Sequence, residues 1–173
     1  MSISLYEASI ATSIQTLDGV SSVLSKARTH FESENQDLDA VAACRLTDDM
    51  LGFGFQIVSV VHHSLGSIKG IYSGEFRPPE GPYELSWQAA EQQINDAREA
   101  LSQYTQSDVN AQTGKRVEFV LGEQRIPFTS ENFVLSFSHP NLFFHATTAY
   151  DLLRMRGVPL SKRDFMGPMR IAS

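Results

Sequence analysis

The chain reads as an all-α protein: a four-helix bundle with a small β-hairpin inserted between the third and last long helices, folded as one domain over residues 1–173. Three observations carry that reading. Apolar residues recur at three- and four-residue steps through four long segments. Residues 115–128 break this period and alternate instead. The last long segment has its own start and stop, with Pro140 suited to a first helical turn and Gly157 followed by Pro159 to an ending. A content of 42% hydrophobic and 20% charged residues is ordinary for a globular chain, and the length suffices for a real core.

Leu5, Ala8, Ala11, Ile14, Leu17, Val20, Leu24, Ala27 and Phe31 form the stripe of a first helix over residues 3–32. The polar run 32–36 reads as a loop, and 37–44 as a short helix capped by Asp37. Thr47 or Asp48 is placed to start a second long helix reaching Lys69, apolar around so much of its circumference that it belongs inside the bundle. Gly54 and Gly66 weaken it by about 1 kcal/mol each, which close approach to a facing helix would justify. Three prolines and two glycines make 73–83 irregular. A third helix spans 86–104, with Ala90, Ile94, Ala97, Leu101 and Tyr104 inward. Val117, Phe119 and Leu121 alternate with Arg116, Glu118 and Val120, Gly122-Glu123 suits a two-residue turn, and Pro127 marks the second strand as an edge. A short helical segment at 130–138, the 141–156 helix and an extended tail complete the chain.

Bulk properties remove several functions. A net charge of −6 argues against nucleic-acid binding, which needs a clustered basic face; Lys162, Arg163 and Arg170 read as a solvated tail. Cys44 is the sole cysteine, so no intrachain disulfide forms, and its alanine-rich setting suggests a small apolar residue. The N-terminus lacks signal-peptide character. The apolar stretch from Met50 to Val61 is too short to span a bilayer, so a cytoplasmic protein without membrane contact is expected. The sequence contains no glycine-rich phosphate loop, Gly-x-Ser-x-Gly elbow, Cys-x-x-Cys pair or Glu-x-x-His di-iron motif.

The histidines are what remains. Leu142, Ala146, Ala149 and Leu153 lie along one line of the last helix, and His145 sits about 60° from it, beside Thr148 and Leu152. A hydrogen-bonded core histidine is the first reading of a side chain there, a metal ligand or proton-transfer group the second, and an exposed histidine the third. His62 and His63 point about 100° apart on the second helix, so one of them at most shares a site with His145. Adjacent histidines chelate one ion poorly, unlike pairs four apart. Asp48 and Asp49 could lend a carboxylate ligand or cap a helix start. His30 and His139 read as structural or solvent-facing.

The opening Met1-Ser-Ile-Ser-Leu-Tyr-Glu-Ala8, the segment Arg45-Leu-Thr-Asp-Asp-Met50, and Asn141-Leu-Phe-Phe-His-Ala-Thr-Thr-Ala-Tyr150 with Gly157-Val-Pro-Leu-Ser-Lys-Arg-Asp-Phe165 carry a resemblance. They resemble a bacterial family described as a domain of unknown function, within the DinB/YfiT-like metalloenzyme superfamily. The resemblance covers essentially the whole chain. It implies a DinB-like four-helix bundle, commonly a homodimer, and a divalent ion (zinc, nickel, manganese or iron) held by one histidine of the second helix and two, four apart, of the last. Carried over, His62 or His63 is the first ligand and His145 the second. The third position is Ala149, a departure that weakens a three-ligand site; Asp48, Asp49 or the tail would have to substitute.

Two functional expectations follow. One is a metal-assisted enzyme of the thiol-dependent transferase or isomerase type, with His62 and His145 as ligands and His63 or a nearby aspartate as base. The other is a non-catalytic module for a small molecule or a protein partner that has lost the metal, with a pocket lined by Phe53, Phe143, Phe144 and Tyr150. A twofold dimer is expected to cover the apolar second helix and the open hairpin edge.

Overall fold

The first stripe folds as a long helix, α1 (Thr12–Ser33), entered through a π-helical segment at Glu7–Ala11. The computed structural model describes residues 3–171. Leu17, Val20, Val23, Leu24, Ala27 and Phe31 are all buried along α1. The loop after it is a tight stop. Asn35 takes a left-handed φ of 54°, the Gln36 N–H donates to the Phe31 carbonyl at 2.9 Å, and the Asn35 N–H donates to that of Glu32. Asp37 caps α2 (Leu38–Ala42) as expected, accepting from the Asp39 N–H.

The second long helix starts later than expected. Neither Thr47 nor Asp48 caps it; residues 45–52 form an exposed turn in which Asp49 accepts from the Thr47 hydroxyl, and α3 (Phe53–Val61) begins after Gly52. The reason is local. The Phe53 N–H donates to the Cys44 carbonyl at 2.8 Å and the Gln56 amide to that of Leu51 at 2.9 Å, so the turn closes on itself. The run continues through a π segment at His62–Gly66 into α4 (Ser67–Ser73), ending at Gly74 with φ 79°. The two glycines serve purposes other than helix contact. A Cβ on Gly54 would lie 2.6 Å from the Tyr83 carbonyl oxygen of the following connection, and one on Gly66 would lie 3.1 Å from His62 Nδ1.

That connection is not wholly irregular. Glu75–Phe76 forms β1, which pairs in parallel with β2 (Arg116–Leu121), and β2 pairs antiparallel with β3 (Gln124–Thr129). The expected hairpin is therefore two strands of a three-stranded sheet, β2 central and Pro127 on the outer strand opposite Glu118. Gly122, at φ 59°, makes the turn. Leu121 does not continue the inward row: it is half exposed beside the turn, while Val120 is buried. Beneath the sheet, Phe76, Phe119, Phe128, Phe133 and Phe137 pack ring against ring at 4.7–6.3 Å.

The third long helix, α5 (Trp87–Ser102), is capped by Ser86, and Ala90, Ile94, Ala97 and Leu101 are buried. A short helix, α6 (Gln106–Asn110), follows it, capped by Thr105. The bundle is closed by α3 packing on α5 and α8, and α1 on α5 and α8. Trp87 holds its centre, with its ring parallel to Phe53 at 5.6 Å and its indole N–H donated to Glu91.

The segment 130–138 and the last helix are one continuous run: α7 (Ser130–Asn132), a π segment at Phe133–Ser138, and α8 (His139–Met155). Pro140 thus lies inside a helical run, where its ring would crowd the preceding turn. The wide π turn ahead of it relieves that crowding, and the Asn141 side-chain amide donates to the Phe137 carbonyl at 2.7 Å. The tail is not extended throughout. Ser161 and Asp164 form a capping box for α9 (Lys162–Met166), which lies on α1 so closely that a Cβ on Gly19 would meet the Phe165 carbonyl oxygen at 2.2 Å.

Candidate functional site

Leu142, Ala146, Ala149 and Leu153 are buried along α8, and His145 beside that line is half-buried and turned toward α3. Of the two adjacent histidines it is His63 that meets it. The rings of His63 and His145 lie within 10° of parallel, 6.0 Å apart between centroids. His62 turns away: its Nε2 donates to the Arg77 carbonyl at 2.7 Å and its ring packs on Phe76 at 4.3 Å. Asp48 and Asp49 stay in the exposed turn before α3. Among the described residues, no three His, Cys, Asp or Glu side chains gather into a group able to hold an ion. The donor set therefore does not fit the three-ligand cage that the family resemblance implied.

The hydrogen bonds fix the protons. The Gln56 amide nitrogen donates to Leu51, which aims Oε1 at His145, 2.8 Å from Nδ1. An amide oxygen can only accept, so His145 carries its proton on Nδ1 and leaves Nε2 as a lone pair. By the same logic the Arg77 carbonyl puts the His62 proton on Nε2. Burial pushes the His145 pKa down to about 4 and, with neighbouring His62 and His145, that of His63 to about 3. Burial lowers His62 as well, against the opposing hydrogen bond to Arg77. All three are neutral at pH 7. His63 Nδ1 is buried without a hydrogen-bond partner, while its backbone carbonyl accepts from the Ser138 hydroxyl at 2.8 Å. The two π segments thus face each other here, and π turns recur at functional sites.

In front of His62 lies an open groove of about 820 Å3, between the α3–α4 run and the proline-rich connection at 77–82. Val58, Val61, Leu65 and Phe76 give it apolar walls, and Lys69 lines it without an ion-pair partner among the described residues. The expected pocket of Phe53, Phe143, Phe144 and Tyr150 does not form. Phe53 is buried against Trp87, Tyr150 packs on Phe165, and Phe143 and Phe144 are exposed. Burial raises the Cys44 thiol pKa, the opposite of what a nucleophile needs.

Gln56, Lys69 and Arg77 were not among the candidates. Gln56 was legible in principle: it interrupts an apolar run seven residues before His63, two turns away on the same face. Arg77 contributes through its backbone, for which no side-chain pattern exists. His139 is not the bland residue its place before Pro140 suggested: it is 8% exposed, and its Nε2 is buried without a partner.

The family described as "Domain of unknown function (DUF1993)" matches residues 5–166. Among solved structures, the crystal structure of a DinB family member protein from Shewanella denitrificans is similar, with a TM-score of 0.81 and 20% identity. The match covers 98% of this chain and 95% of that one, and at this identity it shows the fold alone. No curated protein matches. Among the described residues no helix is long and apolar enough to cross a membrane.

Proposed function

We propose, for a chain that belongs to the DUF1993 family and has the fold of a DinB family member, that it is a small-molecule-binding bundle whose site works without a resident metal. One observation carries this reading: the groove beside His62 joins apolar walls to an unpaired Lys69 ammonium, and the neutral histidines behind it are held by Gln56 and Arg77. Of the two carboxylates on the same lining, Glu75 is paired with Arg77 and Arg125 and Glu80 stands without an ion-pair partner among the described residues; an organic ligand with an apolar body sets its anionic group at Lys69, away from Glu80. His62 is held as part of the wall by its bond to the Arg77 carbonyl and its packing on Phe76.

The anionic dye 8-anilinonaphthalene-1-sulfonate is a direct probe. It should brighten on binding the native protein, and Lys69→Gln should weaken that binding about fivefold, on the order of 1 kcal/mol for an exposed charge pair. Equal affinity in the variant refutes the groove assignment. A second reading rests on the orphaned Nδ1 of His63 beside His145: a divalent ion held by these two imidazoles, in place of the His62 and His145 pair that the enzyme expectation named. Stoichiometric metal in the purified protein would favour it.

A further inference from the structure

His62 meets the groove with an unused lone pair. Its Nε2–H is spent on the Arg77 carbonyl, so Nδ1 carries no proton and can only accept. Nδ1 has no hydrogen-bond partner among the described residues, yet it is not closed off as His63 Nδ1 and His139 Nε2 are. Gly66 keeps the approach to it clear. That glycine lines the same groove, and a Cβ on it would lie 3.1 Å from Nδ1. A donor hydrogen-bonded to Nδ1 would stand at that distance.

Shape and charge narrow the ligand further. Gly66 and Gly70, one turn apart, give the lining bare backbone, with Leu65 and Phe76 beside them. A glycine floor beside an aromatic ring admits a flat body more closely than a branched one. Lys69 follows His62 by seven residues, about 10 Å along the helical run. A bicyclic acid and the flexible lysine stem cover that span together. The Ser73 hydroxyl on the same lining is already bonded to the Gly70 and Glu75 carbonyls.

We propose that the groove takes an aromatic acid whose ring carries an N–H or O–H donor remote from the carboxylate, and that His62 Nδ1 selects it by accepting that hydrogen bond. The carboxylate lies at Lys69, the ring covers Gly66 and Gly70, and the ring donor stands where a Gly66 side chain would otherwise be. This rests on the groove being the binding site proposed above, and adds the neutral group that the ligand must carry. An acid without the donor would bury Nδ1 unsatisfied, which is what makes His62 a determinant of specificity.

The test is displacement of 8-anilinonaphthalene-1-sulfonate from the full chain by indole-3-acetate and by 1-benzofuran-3-acetate, which differ only in a ring oxygen that replaces the N–H. The indole acid should compete at least about fivefold more strongly, since the oxygen turns a lone pair toward Nδ1. Gly66→Ala favours the helix by itself and so should keep the fold. Its methyl group fills the donor's place and should bring the two acids to equal affinity. Equal displacement by both acids in the native chain overturns the role of His62, while the groove reading survives if Lys69→Gln weakens both. A preference that persists in Gly66→Ala assigns the donor to Glu80 or Gln93 and also overturns it. Failure of both acids to displace the dye at millimolar concentration overturns it as well, and the groove reading falls with it only where Lys69→Gln leaves dye binding unchanged.

Discussion

One region of this molecule is packed and satisfied, and another is distorted and leaves polar groups unanswered. Around Trp87, α1, α3 and α5 meet with fully buried side chains, the indole N–H finds Glu91, and Arg28 bridges Glu91 and Glu32. Around His63 and His139 the helices carry π turns, two imidazole nitrogens are buried without partners, and cavities open on the surface. Native proteins keep such unmet polar atoms few. Their concentration along two π segments identifies where stability has been given up, and that is where binding is to be sought.

The contrast can be broken from the packed side first. Trp87→Ala removes a fully buried ring stacked on Phe53 and should cost about 3–5 kcal/mol in denaturant melts; a loss under about 1 kcal/mol would mean the centre is not where stability resides. Acid acts on the other region. His63, with a pKa of about 3, and His139 and His145, with about 4, lie below their ordinary 6.5. A depressed histidine pKa means the unfolded chain binds the extra proton. The stabilisation is therefore complete above pH 6.5 and is lost as pH falls toward 4, by up to about 1.4 kcal/mol per pH unit for each residue. Thermal melts between pH 7 and 5 should fall accordingly, before the lowered carboxylates Glu7, Glu75, Glu118 and Asp164 begin to protonate. A flat profile over that window would show that these imidazoles are not buried as described.

Two smaller effects sharpen the boundary. Gly19→Ala forces the Phe165 backbone away from α1 and should cost about 1–3 kcal/mol, with hydrogen exchange rising in 160–167 and not in α5. Gln56→Leu leaves the His145 Nδ1–H and the Leu51 carbonyl without partners, at about 1–2 kcal/mol. Its sharper readout is nitrogen NMR of His145, where the fixed Nδ1–H tautomer should become mixed; an unchanged tautomer would remove Gln56 from the site.

The packed region is also the one the sequence reveals. Stripes such as Leu17, Val20, Leu24 and Ala27, or Ala90, Ile94, Ala97 and Leu101, are periodic because their neighbours are, and each was readable before any coordinate. Departures came where backbone, not side chains, decides. The late start at Phe53 depends on the Cys44 carbonyl, β1 on pairing with residues far along the chain (Glu75 with Glu118), and the place of Pro140 inside a helical run on a π turn. The histidines were legible as candidates, and the expectation that at most one of His62 and His63 would meet His145 follows from helix geometry. That the one is His63, and that Gln56 and not a third ligand meets His145, depends on hydrogen bonds that no spacing encodes.

The measurement that decides most is elemental analysis of untagged protein purified without chelators, with melting temperatures taken with and without EDTA for the native chain and His145→Ala. A site that works without a resident ion predicts far less than one equivalent of zinc, nickel, manganese or iron and a melting temperature indifferent to EDTA. Near-stoichiometric metal that vanishes in His145→Ala, with a melting temperature lowered by chelation, would contradict it and restore the metal-dependent enzyme.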